Sequence, residues 1–259
     1  MAKNSHIRQN TYYVEPFQED FTGHLAWGIF GNQLLRCAGM HAAEHGFGVI
    51  HLHESSYSWV LSRLVIEMSE MPKTDEAYTV ETWICKLYKL FTDRCFAITT
   101  KDGKTIGYAY SIWAMIDMKT RKPADLENLV DQNFIDCLDT EKPCIVKMPG
   151  RIRTHAEEAE RTIETYYSDI DINGHVNSIK YIEHALNLFP KETFATQRVA
   201  RFEIAYNTES YLGDTLSFYH EEKGGGVHAI EIRKNVNRGT STQGEVVCRC
   251  QVEFKPYGQ

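Results

Sequence analysis

Apolar and polar positions along the chain follow the same order twice: a helical stretch and then a series of strands. Within residues 24–45 the apolar positions recur at helical spacing and share one side: Leu25, Ile29, Leu34, Leu35 and Ala38. A second helical stripe runs over residues 176–189 and ends before Pro190. The strand-like runs are 57–68, 78–90, 95–100 and 105–117 in the first half, and 198–207, 215–222, 227–235 and 244–255 in the second.

The two halves also match in their letters, which indicates a tandem duplication. Asp20-Phe-Thr-Gly-His24-Leu aligns with Asp171-Ile-Asn-Gly-His175-Val, and Arg63-Leu-Val-Ile66 aligns with Arg201-Phe-Glu-Ile204. We predict an α+β fold in which each half is a long helix wrapped by a curved antiparallel sheet. The predicted domains are residues 1–140 and 155–259, joined by a proline-containing and charged linker region, 123–160.

Composition narrows the class of protein. The 259 residues carry a net charge of −7, which argues against a nucleic-acid-binding protein. No apolar run reaches the ~18 residues of a membrane span, and the first ten residues do not read as a signal or transit segment. We therefore expect a cytoplasmic protein without membrane association. The seven cysteines lack C-x-x-C spacing and are expected to be reduced.

Candidate chemistry concentrates at the start of the second helical stripe. Asp171, Asn173 and His175 surround Gly174 and lead directly into apolar positions. Free backbone amides near residues 174–177 and the positive end of a helix dipole would attract a polarised carbonyl there. A histidine changes its charge near neutral pH. The simpler interpretation is that Asp171 or Asn173 only caps the helix.

This segment resembles the acyl-acyl-carrier-protein thioesterases, which carry two hot-dog folds in one chain. The resemblance rests on D-x-N-x-H-V-N at 171–177 and extends to Trp59-Val-Leu-Ser-Arg63, Thr82-Trp83, Ser111-Ile-Trp113-Ala-Met115, Thr120-Arg121 and Tyr206-Asn-Thr-Glu209. It implies a tandem hot-dog hydrolase of fatty acid biosynthesis that needs no metal or organic cofactor. The family's catalytic groups resemble, residue by residue, Asp171, Asn173, His175 and Glu209.

The chain departs from the family's plant members immediately after Glu209. Those members often have a cysteine there, whereas this chain has Ser210, so a Cys–His mechanism at that position is not available. In the first half, Thr22 replaces the asparagine between Asp20 and His24. We therefore expect the first half to be a decayed site whose helix and sheet shape an acyl pocket.

Thioester hydrolysis needs an activated nucleophile and a stabilised oxyanion. We expect Glu209 and His175 to activate water while Asp171 orients it. Direct attack by Asp171, giving a mixed anhydride, is the alternative. The backbone amides of Gly174 and Val176 are the candidate oxyanion donors.

Substrate contacts are expected in both halves of the chain. The candidate acyl-pocket residues in the first half are Leu34, Trp59, Trp83 and Trp113. The carrier protein is acidic, so a basic patch is expected to meet it, with the candidates Arg151, Arg153 and Arg198. Two hot-dog folds fused in one chain already cover sheet edges internally. The sequence is therefore compatible with a monomer and with a homodimer.

Three other interpretations are available. His41-Ala-Ala-Glu-His45 fits the inverted zincin pattern H-x-x-E-H, although the sequence offers no evident acidic third ligand. A hot-dog dehydratase acting on hydroxyacyl thioesters would use a histidine and a carboxylate, although no H-F-P-type segment is present. A non-catalytic acyl-thioester or fatty-acid binding protein would keep the pocket while Asp171 and Glu209 stayed idle.

Overall fold

The computed structural model describes residues 6–235 and 244–258. The chain divides into two units, Met1–Met148 and Pro149–Gln259. Their boundary lies inside the predicted linker region 123–160, but that region is not all linker. Side chains near its start are buried in the first unit: Ala124, Leu126, Phe134 and Cys137.

The first unit contains a five-stranded antiparallel sheet. Its strands are β1 (Arg8–Tyr13), β2 (Tyr57–Met68), β3 (Ala77–Leu87), β4 (Phe91–Thr100) and β5 (Thr105–Asp117), in the order β1-β3-β4-β5-β2. The first and last residues of β2 and β5 are those that the sequence pattern predicted. β1 was missed because its six residues alternate between half-buried and exposed side chains without a fully buried one.

Helix α1 (Trp27–Glu44) covers one face of this sheet. Phe30 and Leu34 of α1 are completely buried, and the Phe30 ring lies 6.3 Å from that of Tyr78 on β3. The predicted apolar side is therefore correct in outline, although Ile29 and Leu35 are only partly buried. Three short helices complete the unit: α2 (Val49–Glu54), α3 (Leu126–Leu129) and α4 (Gln132–Ile135).

The second unit repeats the sheet with a shorter helix. Its strands are β6 (Arg161–Glu164), β7 (Gln197–Tyr206), β8 (Thr215–Gly224), β9 (Val227–Lys234) and β10 (Glu245–Pro256), in the order β7-β10-β9-β8-β6. The helices are α5 (Lys180–Leu186) and α6 (Lys191–Thr196). The prediction of a long helix in each half is wrong here, since α5 has only seven residues.

The core of each unit consists of the sheet face and the helix packed on it. In the second unit Tyr181, Ile182 and Ala185 of α5 are buried, and the sheet contributes Phe202, Ile204, Phe218, Ile230 and Val252. All seven cysteines carry free thiols, and six of them are buried. Among the described residues, no helix is both long and apolar enough to cross a membrane.

Candidate active site

The D-x-N-x-H motif forms a tight turn that Asp171 closes at both its backbone and its side chain. The Asp171 N–H donates to the His175 carbonyl at 2.8 Å, and the Gly174 N–H donates back to the Asp171 carbonyl at 3.0 Å. The Asp171 Oδ1 accepts the N–H groups of Asn173 at 2.8 Å and His175 at 3.3 Å. Gly174 has φ +79°, a conformation that other residues adopt at a cost. The Asp171 Oδ1 therefore closes this turn and does not cap helix α5, whose N-cap is Ile179, so the helix-cap interpretation is wrong.

The helix does not begin at this turn. Helix α5 starts at Lys180, after the Asn177 Oδ1 has accepted the Ile179 N–H at 2.8 Å. The Gly174 N–H is bonded to Asp171, and the Val176 N–H donates to the Ser210 carbonyl at 2.8 Å. The expectation that Gly174 and Val176 offer free amides to an oxyanion is therefore wrong, because both amides already serve the fold.

The turn brings His175 next to Glu209. The His175 Nε2 lies 3.5 Å from the Glu209 Oε2, with side-chain exposures of 25% and 32%. Asn173 instead faces Asp171, with its Nδ2 at 3.5 Å from the Asp171 Oδ2. The four predicted catalytic residues thus form two contacts, Asp171 with Asn173 and His175 with Glu209, linked through the turn backbone. A histidine and a carboxylate at this distance, both reached by solvent, can together hold and deprotonate a water molecule.

Two residues that the sequence analysis did not identify also contact Glu209. The Tyr211 hydroxyl lies 3.3 Å from the Glu209 Oε2, and its ring meets the His175 imidazole edge to face at 5.1 Å between centroids. The Lys234 Nζ donates to the Glu209 carbonyl at 2.6 Å. Tyr211 lies two positions after Glu209, and this closeness in sequence is the signal that points to it. Lys234 ends β9, and only the fold brings it to Glu209.

Ser210 occupies the position of the plant cysteine and is completely buried. Its carbonyl accepts the Val176 N–H at 2.8 Å, which joins the Glu209 loop to the motif turn. Its neighbour on α5 is Tyr181, whose phenol pKa is raised by burial. Ser210 therefore has a structural role in this loop. Its buried hydroxyl has no hydrogen-bond partner within residues 6–235 and 244–258, and a hydroxyl without a base beside it is a poor nucleophile.

The first unit contains the same turn built from different side chains. The Asp20 N–H donates to the His24 carbonyl at 2.9 Å, and the Gly23 N–H donates to the Asp20 carbonyl at 3.0 Å. The Asp20 Oδ1 accepts the Thr22 N–H at 2.8 Å, as Asp171 does with Asn173. The duplication inferred from the letters therefore extends to hydrogen bonds.

The repeat also shows what the first unit lacks. The Leu25 N–H donates to the Pro72 carbonyl at 2.8 Å, the counterpart of the bond from Val176 to Ser210. The residue before Pro72 is Met71, whereas the residue before Ser210 is Glu209. The first unit thus keeps an aspartate and a histidine but has a thioether in place of the carboxylate. This difference supports the interpretation of the first half as a decayed site.

The structure separates one of the four candidate acyl-pocket residues from the others. Trp83 lies five positions after Tyr78 on β3 with no register shift between them, so its side chain is on the face away from α1. There the Lys142 Nζ lies 5.0 Å from its ring centroid. It packs in a separate cluster with Val65, Cys85, Cys95, Ala97 and Tyr110. Trp83 therefore does not line a pocket beside α1, and that prediction is wrong.

The other three candidates lie beside α1 or its C-terminal end. Leu34 is completely buried on α1 itself. The Trp59 Nε1 donates to the Phe47 carbonyl at 2.9 Å, just after α1. The Trp113 Nε1 donates to the Ser111 Oγ at 2.8 Å, and Ser111 is completely buried. Both indole N–H groups are therefore satisfied inside the unit, and the Trp59 ring stacks on that of Phe134 at 6.3 Å between centroids.

The three candidate arginines of the carrier-protein patch lie in the second unit. Arg151 and Arg153 are exposed, and Ile152 between them is buried. The segment that carries them is fixed at the Gly150 N–H, which donates to the Glu203 Oε1 at 2.8 Å. Arg198 is on β7 and is partly buried. The pair Arg151 and Arg153 is thus the solvent-facing part of the predicted patch.

The H-x-x-E-H segment has a third possible ligand that the sequence did not indicate. His41 on α1 and His45, just after the end of α1, lie next to Cys137. The possible ligand atoms of these three side chains all lie within 4.8 Å of one another. The His41 Nδ1 faces the Arg94 Nη1 at 3.1 Å, however, and its Nε2 faces the His6 carbonyl at 3.1 Å. Both imidazole nitrogens are occupied, and a buried guanidinium next to them repels a cation. The cluster therefore does not fit a metal.

His41 makes the stability of the protein sensitive to acid. Burial, with Arg94 second, lowers the pKa of His41 from 6.5 to about 3. The folded state thus keeps His41 neutral, so its contribution to stability is complete above pH 6.5 and is lost as the pH falls toward 3. At pH 5 the free energy of unfolding should be about 2 kcal/mol lower than its value above pH 6.5, as far as His41 is concerned.

Urea unfolding at pH 5 and pH 7.5 measures this difference in the free energy of unfolding. His41→Gln should make the difference between the two pH values smaller. An equal difference in the variant would contradict the assignment.

Comparison with known proteins gives the same family over both units. The family model for the acyl-ACP thioesterase N-terminal domain matches residues 6–133, and the C-terminal domain model matches residues 152–256. A palmitoyl-acyl carrier protein thioesterase of Cuphea hookeriana chloroplasts is 25% identical over 68% of this chain. That match covers only 43% of the plant protein, so the chain spans less than half of its length.

Solved structures agree with the fold. A crystal structure of an acyl-ACP thioesterase from Bacteroides thetaiotaomicron is 48% identical, covers 98% of this chain and all of its own, and superimposes with a TM-score of 0.89. The 12:0-ACP thioesterase from Umbellularia californica is 18% identical over 99% of this chain and 100% of its own, with a TM-score of 0.84, and this likeness supports the fold. With its two hot-dog units and both family models matched, this chain belongs to the acyl-ACP thioesterase family.

Proposed function

We propose that the protein hydrolyses the thioester of fatty acyl-acyl carrier protein to a free fatty acid and the carrier thiol. The observation that carries this proposal is the 3.5 Å contact between the His175 Nε2 and the Glu209 Oε2 in a chain of this family. The motif turn that carries His175 also contains Asp171 and Asn173. The first unit keeps the turn without the carboxylate, so we assign the chemistry to the second unit.

The mechanism we propose uses water as the nucleophile. Glu209 and His175 hold a water molecule. Glu209 takes the proton of this water as it attacks the thioester carbonyl, and passes that proton to His175 across their 3.5 Å contact. Asp171 and Asn173 orient this water or the carbonyl. The imidazolium of His175 can then give its proton to the leaving thiolate, which completes the hydrolysis with no change of oxidation state.

Direct attack by Asp171 is the second route, and the geometry favours it less. The Oδ1 of Asp171 already accepts two backbone N–H groups, and such bonds stabilise the carboxylate and weaken it as a nucleophile. A single turnover in ¹⁸O-labelled water tests the Asp171 route. Direct attack of water on the thioester places the label only in the fatty acid, as does attack on the acyl carbonyl of an anhydride. Label found in the Asp171 side chain would establish the anhydride route.

We also propose that the acyl group packs against Leu34, Trp59 and Trp113 in the first unit. Leu34 is a hydrocarbon side chain on α1, and the indole N–H groups of Trp59 and Trp113 are already bonded within the first unit. Thioesters of graded chain length test this point. Enlarging Leu34 to Phe should shift the preferred substrate toward shorter chains, because an added ring takes the place of methylene groups.

Arg151 and Arg153 are the residues we propose to meet the acidic carrier protein. Reversing both charges with Arg151→Glu and Arg153→Glu should raise KM about 10-fold at low salt and leave kcat unchanged, because the change weakens association without touching the turn. The difference should shrink at high salt, where the charges are screened. Lys101→Glu, in the exposed turn between β4 and β5, is the matched control. A fall in kcat with constant KM would contradict the assignment.

The experiment that tests the proposed function is the incubation of the full chain with acyl carrier protein thioesters of graded chain length. Release of free thiol together with fatty acid supports hydrolysis. Conversion of a hydroxyacyl thioester without thiol release would indicate a dehydratase. Tight binding without any turnover would indicate an acyl-thioester or fatty-acid binding protein.

A further inference from the structure

We infer that Tyr211 is a positioning residue that holds the Glu209 carboxylate against the His175 imidazole. Its hydroxyl lies 3.3 Å from the Glu209 Oε2, the same oxygen that faces the His175 Nε2 at 3.5 Å. Its ring packs on the imidazole at 82° between ring planes. Its backbone pairs with that of His175 in an isolated bridge. Tyr211 therefore contacts both members of the pair, and its kinetic consequences rest on the proposed function.

The tyrosine is itself held in place from two sides. The Tyr211 N–H donates to the Asp214 carboxylate at 2.9 Å, which fixes the backbone of the loop. The Lys234 Nζ lies 5.7 Å from the centre of its ring and bonds the Glu209 carbonyl at 2.6 Å. A lysine over an aromatic face is attracted to it. Lys234 thus contacts both the Tyr211 ring and the backbone of Glu209, whose carboxylate is held by the Tyr211 hydroxyl.

The first unit shows that this loop does not need a tyrosine in order to fold. Lys73 stands at the equivalent position, one residue after Pro72 as Tyr211 follows Ser210. The Lys73 N–H donates to the Glu76 carboxylate at 2.9 Å, the same bond that Tyr211 makes with Asp214. The loop that contains Lys73 carries Met71 in place of Glu209. The tyrosine is therefore present where there is a carboxylate to hold and absent where there is none.

Packing does not explain the tyrosine either. The side chain is 47% exposed, so it contributes little to the core. This half-exposed aromatic side chain contacts both the partly exposed histidine and the partly exposed carboxylate. The geometry thus assigns its function to the orientation of Glu209 and His175.

Substituting Tyr211→Phe removes the hydroxyl and leaves the ring on His175. We expect kcat to fall about 5- to 10-fold with KM nearly unchanged, the loss expected for one hydrogen bond to a partly exposed carboxylate. The acid limb of the pH–rate profile should move to higher pH, because the bond favours the charged carboxylate. The other charged groups around this pair, Lys234, Glu245, Asp171 and Asp214, are unchanged by the substitution. Tyr219→Phe on β8, whose ring lies under Arg233, is the control.

A double variant separates positioning from a general effect on the fold. In the Glu209→Gln background, Tyr211→Phe should cause almost no further loss of kcat, because the carboxylate through which it acts is gone. Losses that multiply would overturn the inference, as would a wild-type pH profile and kcat in the single variant.

A measurement without substrate distinguishes failure of this inference from failure of the proposed function. Crystal structures of the wild type, Tyr211→Phe and Tyr219→Phe are compared at the contact between the His175 Nε2 and the Glu209 Oε2, which is 3.5 Å in the wild type. Without the hydroxyl, the Glu209 carboxylate should turn away from the imidazole in Tyr211→Phe alone. An unchanged contact in Tyr211→Phe overturns the inference even if acyl carrier protein is hydrolysed. Loss of the contact supports the inference even if the substrate proves to be another thioester.

Discussion

Replacing Glu209 with glutamine should lower kcat at least ~100-fold while KM changes little. Glutamine keeps the size of the side chain but cannot accept the proton of the attacking water. The fold should tolerate the change, since the side chain is about one-third exposed and Lys234 bonds the backbone carbonyl, which is unchanged. A 100-fold loss corresponds to about 2.7 kcal/mol of transition-state stabilisation.

The measurement is the steady-state rate of thiol release at several substrate concentrations, with thermal unfolding to confirm that the variant is folded. Glu253→Gln is the control, since that carboxylate pairs with Lys255 at 3.2 Å on β10. A Glu209→Gln protein that keeps near-normal turnover would remove Glu209 from the mechanism.

Replacing Asp171 with asparagine should also lower kcat at least ~100-fold. Asparagine can still accept the N–H groups of Asn173 and His175 through its Oδ1, so the turn should survive. What it loses is the negative charge. The effect of this variant therefore reports on chemistry rather than on capping.

The duplication supplies a matched control for this variant within the same chain. Asp20 caps an equivalent turn through the Thr22 N–H at 2.8 Å. Asp20→Asn makes the same chemical change in the unit that lacks the glutamate, so its kcat should stay within about 2-fold of the wild type. Equal losses in Asp20→Asn and Asp171→Asn would mean that both residues act only through the fold.

The sequence predicted the parts of the fold that depend on local patterns. Alternation and turn residues located the eight longer strands, and the repeated Asp-x-x-Gly-His letters indicated the duplication that the hydrogen bonds of both units share. The start of α5 was misplaced because Val176 and Ile179 continue the apolar stripe. A stripe of apolar positions does not tell a helix from a turn that leads into one. The backbone bonds from Val176 to Ser210 and from Asn177 to Asp169 keep the chain extended there.

The resemblance named residues that lie close together in the structure, but it did not name those whose contacts arise only from the tertiary structure. His175 and Glu209 lie together as the motif implies. Tyr211 and Lys234 could not be found from periodicity, because their relevance depends on the Glu209 loop and the end of β9 meeting in space. The misassignment of Trp83 has another cause. Its odd separation from Tyr78 places the two on opposite faces of β3, and the prediction did not take that parity into account.

The measurement that tests the central claim most directly is the single-turnover rate of thiol release from a fatty acyl carrier protein thioester. It compares the wild type, Glu209→Gln, His175→Gln and the double variant. If the two residues act together on one water molecule, the wild type releases thiol and the double variant is no slower than the slower single variant. An inactive wild type, or rate losses that multiply in the double variant, would contradict the account.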